Sequence, residues 1–73
     1  MGMHDSRKLV DLLLWVHAET PRAWRVSEHD DKEDAVWLPK SLTEVGPERA
    51  DGRREVTIPA WLAIERGLEA AVE

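Results

Sequence analysis

The sequence predicts an α+β fold, in which a small curved antiparallel sheet or partial barrel of four or five short strands is covered by one C-terminal helix. Short apolar runs with alternating patterns follow one another between turn-forming residues, as is typical of antiparallel strands. Pro59 then opens an amphipathic stretch, because proline is favoured at the first position of a helix. A chain of 73 residues has room for one domain.

This single domain is expected to span residues 1–73, with 1–7 and 69–73 frayed. The chain has no cysteine, and its four tryptophans are its only aromatic residues. A domain this small is marginally stable without disulfides or structural metals. Each buried tryptophan removes about 150–250 Å² of surface from water, which can compensate. We therefore expect three or all four in the core, the alternative being that one is an exposed stacking or anchor residue. They are Trp15, Trp24, Trp37 and Trp61.

The segment from Lys8 to Glu19 fits two templates. As a helix it places Leu9, Leu12 and Val16 on one face, and as a strand it alternates regularly. Turn chemistry follows at 19–22, with Pro21 suited to the first central position. Beyond the turn, residues 23–27 alternate plainly, so a hairpin is indicated and the strand is favoured.

The middle of the chain predicts two or three further strands. The charge-dense run 28–34 is expected to be a solvated loop, and the run 35–38 is apolar on both faces, which favours a central or covered strand. Pro39 ends that strand, and residues 40–45 form either a short extended piece or a tight turn. The breaker-rich run 46–53 is predicted to be the longest loop, followed by a last strand at 55–58.

The predicted helix begins at Pro59. An apolar stripe is expected along it, formed by Trp61, Ile64, Leu68 and Ala71. Gly67 suits a left-handed helix stop, with Leu68 folding back as its hydrophobic contact. The alternative is that the glycine is tolerated and the helix continues to about residue 72, at a cost near 1 kcal/mol relative to alanine.

Charge and composition restrict the function. The formal net charge is −5, from 15 acidic and 10 basic residues. This balance argues against sequence-independent nucleic-acid binding, which requires a surplus of cations, and it suits an acidic surface that meets a basic partner protein. The absence of cysteine fits a reducing compartment, and no apolar run approaches the ~20 residues of a membrane span. We therefore expect a cytoplasmic protein without a membrane partner.

Catalysis and metal binding are weakly supported. Candidate nucleophiles are Ser6, Ser27 and Ser41, and the three histidines are separated in sequence from one another. None lies in a nucleophile-elbow or phosphate-loop motif, so the chain is predicted not to be an enzyme and to need no cofactor. The run 28–34 is rich in oxygen ligands but lacks the spacing and glycine of a calcium loop, so no metal site is predicted.

Three segments carry a resemblance to a known group of proteins. They are His17-Ala-Glu-Thr-Pro-Arg-Ala-Trp24, Val36-Trp-Leu-Pro-Lys-Ser41 and Val56-Thr-Ile-Pro-Ala-Trp-Leu62, the last followed by Glu65-Arg-Gly-Leu68. Together they resemble small, largely uncharacterised proteins of bacteriophages, prophages and other mobile elements, over roughly residues 8–68. The resemblance implies a strand at 8–19, a mobile-element setting and an accessory role, and it implies no catalytic residue. Thr43 departs from the pattern, where a more apolar or basic residue is expected.

The leading functional hypothesis is a protein-binding accessory module of phage type, such as an inhibitor of host machinery. Its acidic loop would face basic residues on an unknown protein partner. The proposed contacts are Asp30, Asp31, Glu33 and Asp34.

Two alternatives come from other classes of function. The first is a single-stranded nucleic-acid binder that combines an aromatic stacking platform with a basic rim. Its candidate residues are Trp37, Lys40, Ser41, Arg53 and Arg54. The second is a self-associating structural module, or homodimer, favoured by exposed strand edges and a small core.

Overall fold

The structure, a computed structural model that describes residues 8–68, contains five strands, two 3-10 turns and one short helix. In chain order these are β1 (Leu9–Glu19), β2 (Ala23–Ser27), a first 3-10 turn (Lys32–Asp34), β3 (Val36–Pro39), a second 3-10 turn (Lys40–Leu42), β4 (Glu44–Glu48), β5 (Arg54–Pro59) and α1 (Ala60–Glu65). The strands form one open antiparallel sheet in the order β3-β2-β1-β5-β4. The predicted α+β class, with a sheet of short strands and a C-terminal helix, is confirmed.

The long strand β1 serves both halves of the sheet. Its first part, residues 9–14, pairs with β5, and its second part, residues 15–19, pairs with β2. The register slips by one residue between Val16 and Ala18, which leaves His17 in a bulge. Bulges bend a strand and increase its twist, so β1 can change partners midway along its length.

The connection between the two edge strands shows that the sheet is strongly curled. Strands β3 and β4 lie at opposite edges, yet only residues 40–43 join them. In a flat sheet of five strands, four spacings of about 4.8 Å would separate the edges by ~19 Å. A connection that is mostly 3-10 turn rises only ~2 Å per residue, so the sheet must bring its edges together, although they do not pair.

The core lies on the concave face of this sheet and is aliphatic. Alternation along the strands directs every second side chain to the inner face, and α1 covers this layer of side chains. The buried hydrophobic residues are Leu12, Leu14, Val26, Leu38, Val56, Ile58, Leu62, Ala63 and Leu68. The strand interpretation of residues 8–19 is thereby confirmed, because Leu12 and Leu14 are both buried on the inner face.

Turn chemistry fixes the first hairpin as the sequence predicts. The Thr20 hydroxyl accepts hydrogen bonds from the backbone N–H groups of Arg22 and Ala23, at 3.3 and 3.0 Å. The Thr20 N–H donates to the carbonyl of Ala23 at 2.8 Å. These bonds satisfy the turn internally and set the register of β1 against β2.

The start and stop of α1 agree with the sequence, but its apolar stripe does not. Pro59 is the N-cap, and Gly67 has a φ of +76°. The N–H of Leu68 donates to the Ala63 carbonyl at 2.8 Å, and Leu68 is buried, as expected for a helix that ends in a left-handed glycine.

The predicted stripe is wrong because α1 turns a different face towards the core and is shorter than expected. Ile64 is 63% exposed, and the inward residues of α1 are Leu62 and Ala63. Leu68 reaches the core through the turn at Gly67, after the helical spacing has ended. Ala71 and the predicted frayed ends lie outside the described residues.

The expectation that three or four tryptophans fill the core is also wrong. Trp24 and Trp61 are half-buried and pack against the aliphatic core, while Trp15 is half-buried on the outer face, against Gly52. Trp37 is 44% exposed. The fully buried positions are occupied mainly by Leu, Val and Ile, and none of the four indoles is fully buried.

Two expectations about the middle of the chain need correction. Strand β3 was expected to be central or covered but is an edge strand, because β5 enters the sheet on the far side of β1. The predicted long loop 46–53 is shorter, since residues 46–48 belong to β4. Residues 40–45 combine both predicted alternatives, a 3-10 turn followed by the start of a strand.

Across residues 8–68, no helix has the length and apolarity to cross a membrane.

Candidate functional site

The predicted contact residues lie in the segment that joins β2 to β3, which we call the acidic loop (residues 28–34). It organises itself around Asp31. The Asp31 carboxylate accepts the N–H of Glu33 at 2.9 Å, and the Asp31 carbonyl accepts the N–H of Asp34 at 3.1 Å. Asp side chains commonly close turns in this way. The loop therefore holds a defined 3-10 turn instead of an irregular tip.

The first residues of the acidic loop are tied to the sheet through Ser27, the last residue of β2. Ser27 is 1% exposed. Its hydroxyl donates to the carbonyl of His29, and it lies 2.6 Å from Nε2 of His17 in the bulge of β1. The three residues form a bonded chain from β1 to the loop. The sequence does not predict this contact, because it depends on the bulge in β1.

This cluster does not have the geometry of a catalytic serine. A hydroxyl has one proton, and here that proton is directed at the His29 carbonyl, which can only accept. With its proton so directed, the Ser27 oxygen accepts from Nε2 of His17 in the tautomer that carries a proton on that nitrogen. A general base has to receive the serine proton, and His17 is turned to the opposite role.

Negative charge is concentrated and exposed on the acidic loop. Asp30, Asp31, Glu33 and Asp34 are all exposed, and among the described residues none of these four carboxylates forms an ion pair. The part of the chain that the structure describes also contains no cluster of three or more residues able to hold a metal ion. The four residues are thus accessible to a macromolecular partner, although one oxygen of the Asp31 carboxylate is engaged by the Glu33 N–H.

Trp37 lies just beyond the acidic loop, on the outer face of edge strand β3. Its cross-strand neighbour on β2 is Arg25, whose guanidinium carbon is 5.9 Å from the centre of the indole ring. The Nε of Arg66 donates to the Trp37 carbonyl at 2.9 Å. Trp37 was among the residues predicted from the sequence. Its contact with Arg66 could not be predicted, because the position of Arg66 depends on where α1 ends.

The residues predicted for nucleic-acid binding are divided between different places. Lys40 and Arg54 flank Trp24, with the Lys40 Nζ and the Arg54 guanidinium carbon 4.6 and 5.8 Å from its ring centre. Trp24 is paired with buried Leu38 on the inner face, whereas Trp37 lies on the outer face.

The predicted cations are also engaged within the chain. Lys40 forms an ion pair with Glu19, and the Nε of Arg54 donates to the Gly46 carbonyl at 2.7 Å. Arg53 binds the Asp51 carboxylate through Nε and Nη2, at 2.9 and 2.6 Å. The side-chain and backbone hydrogen bonds from Arg53 lower the pKa of Asp51 below its ordinary value, because they favour the charged carboxylate.

A shallow groove runs beside the second 3-10 turn, where Ser41 is exposed. It has a volume of about 360 Å³ and is bordered by Leu9 and Leu42, which are 59% and 39% exposed. Thr57, Pro59 and residues 40–44 complete its lining. The groove is open to solvent.

Comparison of the chain with protein-family models, with curated proteins and with solved structures finds no match. The candidate site therefore rests on its own geometry.

Proposed function

We propose that the chain is a non-enzymatic protein-binding module, and that its acidic loop contacts a basic surface on a partner protein. The observation that carries the proposal is the set of four exposed carboxylates without ion pairs among the described residues, held on a defined turn. Exposed charges of one sign accelerate association with an oppositely charged partner and reject partners of like charge.

The order in the acidic loop supports a recognition role. A loop that must become ordered on binding loses conformational entropy at that moment. Here Asp31 and Ser27 already make the hydrogen bonds that define the turn. These bonds reduce the ordering that the loop backbone must undergo when a partner binds.

The resemblance to proteins of mobile elements gives the proposal its setting. We propose an accessory role in the cytoplasm of a bacterial host, with the partner belonging to host machinery. Many such machines carry basic surfaces because they handle nucleic acid, and an acidic module suits such a surface as an inhibitor.

The nucleic-acid alternative is less well supported. A single-strand site needs an aromatic platform with free cations beside it. Lys40 and Arg53 are paired with carboxylates, and Trp37 faces away from Lys40.

Edge-to-edge self-association is also less favoured. One main-chain acceptor of β3 is taken by Arg66 and another by the Thr43 hydroxyl, which donates to the Pro39 carbonyl at 2.7 Å. Pro47 lies in the other edge strand, β4, and proline removes a donor from an edge. Such features discourage pairing with a second copy.

Capture from bacterial extract, after nuclease treatment, tests the proposal. The loop variant would carry Asp30→Asn, Asp31→Asn, Glu33→Gln and Asp34→Asn. The matched control would carry Asp11→Asn, Glu44→Gln, Glu48→Gln and Glu55→Gln, which are exposed positions elsewhere. Each set removes four negative charges and moves the net charge from −5 to about −1.

We expect the wild-type chain and the control to retain the same proteins in a salt-sensitive manner, and the loop variant to lose them. Equal retention by the loop variant would contradict the proposed contact surface. Loss of all retained material on nuclease treatment would favour the nucleic-acid alternative.

A further inference from the structure

We infer that Trp37 is the apolar anchor of the binding surface, and that it enters a pocket on the partner protein whose rim carries Lys and Arg. The inference rests on the proposed function and specifies the chemistry of the partner. It concerns a side chain outside the acidic loop, so the two can be tested separately.

The exposure of Trp37 is the first observation. Trp37 is the most exposed of the four tryptophans, with 44% of its surface accessible. It lies on the outer face of an edge strand. A tryptophan has about 150–250 Å² of surface to bury, and the 44% of Trp37 that is exposed is what a partner could cover. Leu38, the next residue in β3, is fully buried and anchors the strand, so Trp37 is free to serve a contact outside the chain.

The second observation is that an arginine lies on each of two sides of Trp37. The Arg25 guanidinium lies 5.9 Å from its ring centre, from the neighbouring strand. Arg66 holds its carbonyl at 2.9 Å, from the end of α1. Tryptophan and arginine are the residue types most enriched among those that dominate binding energy in protein interfaces. A positioned indole beside an arginine is therefore suited to a protein contact.

The third observation is the neighbourhood of the acidic loop. Asp34 is three residues before Trp37, and the loop leads directly into β3. An interface of this kind has an apolar centre and a charged rim. The carboxylates require cations on the partner's rim, and the indole requires an apolar pocket inside it. A nucleic acid stacked on Trp37 is the competing occupant, because the Arg25 guanidinium lies beside the indole.

Selection of a random displayed peptide library on the immobilised full chain, at low ionic strength, would test the inference. We expect enriched peptides to carry a large apolar residue flanked by Lys or Arg. The best peptide would then be synthesised and its binding kinetics measured on Trp37→Ala, on the loop variant, and on Ile64→Ala. Ile64 is the matched control, since it is another exposed apolar residue, at 63%.

The two surfaces should change different kinetic quantities. Trp37→Ala should weaken binding by about tenfold or more, mainly through faster dissociation, and should leave the salt dependence unchanged. The loop variant should slow association and reduce the salt dependence. Ile64→Ala should bind as the wild type does.

Each contrary result has a distinct meaning. Unchanged peptide binding by Trp37→Ala, with binding lost by the loop variant, would overturn the anchor and leave the proposed function standing. Unchanged binding by both variants would overturn both. Quenching of tryptophan fluorescence by an oligothymidine in the wild type but not in Trp37→Ala would also overturn the inference, in favour of base stacking. Thermal unfolding of each variant would confirm that it is folded.

Discussion

The hydroxyl of Ser27 lies 2.6 Å from Nε2 of His17, at the point where β1 bulges. The same hydroxyl donates to the carbonyl of His29, the second residue of the acidic loop. A buried side chain thus links the bend of the sheet to the segment that we propose for partner binding. The relationship ties the first residues of the loop to the sheet.

Ser27→Ala should therefore affect both stability and the acidic loop. The substitution leaves the His29 carbonyl and the His17 Nε2 without their partner, and each of these part-buried hydrogen bonds contributes about 0.5–1.5 kcal/mol. Urea denaturation would measure the free energy of unfolding, and amide hydrogen exchange would report faster exchange at residues 28–34. Ser41→Ala, at an exposed position, should change stability by less than about 0.5 kcal/mol. Unaltered exchange in Ser27→Ala would contradict the link.

Gly52 and Gly67 provide a matched pair of backbone tests. Both have positive φ, +94° and +76°, which costs a non-glycine residue about 1–2 kcal/mol. A Cβ at Gly52 would also lie 2.7 Å from the Trp15 ring, whereas one at Gly67 would have nothing within 4 Å. Thermal unfolding should therefore show that Gly52→Ala is the more destabilising of the two. Equal losses would indicate that the loop at Gly52 moves away from Trp15 without cost.

The aliphatic core predicts a contrast between two leucines close together in sequence. Leu38 is fully buried, and Leu42 is 39% exposed at the shallow groove. Leu38→Ala should cost about 2–5 kcal/mol, because it removes buried surface and leaves a cavity. Leu42→Ala should cost less than about 1 kcal/mol. Chemical denaturation of the two variants would check this. A larger loss of stability for Leu42→Ala would contradict the burial that the structure gives these two side chains.

Local sequence signals determined part of the fold. Pro59 and Gly67 mark the ends of the helical region through backbone preferences that operate whatever lies around them. The turn around Pro21 decided between helix and strand for residues 8–19. Each of these predictions rests on chemistry within a few residues, and each agrees with the structure.

Features that depend on distant pairing could not be predicted in the same way. Whether β3 is central or at an edge depends on where β5 enters the sheet, and β5 begins fifteen residues after β3 ends. The exposure of Trp37 and its contact with Arg66 follow from that choice. The contact between His17 and Ser27 depends on a one-residue bulge, and the alternating pattern is the same with or without it.

The pair formed by Asp51 and Arg53 gives a pH-dependent test. Hydrogen bonds from the Arg53 side chain and backbone lower the pKa of Asp51. A carboxyl group with a lowered folded-state pKa stabilises the fold above its unfolded pKa of about 4, and this contribution is lost as the pH falls through the folded value. An NMR titration should place Asp51 below the ordinary value of 3.8. Arg53→Gln should move its pKa back upwards, and an unchanged titration would contradict the pairing.

The central claim, that the acidic loop is the contact surface, is tested most directly by carbodiimide cross-linking of the full chain in nuclease-treated bacterial extract. This reagent joins carboxylates to amines that lie in contact, and mass spectrometry identifies the coupled residues. We expect partner lysines to be coupled to Asp30, Asp31, Glu33 and Asp34, which are exposed and without ion pairs among the described residues. Coupling concentrated instead on Asp11, Glu44, Glu48 and Glu55 would contradict the account.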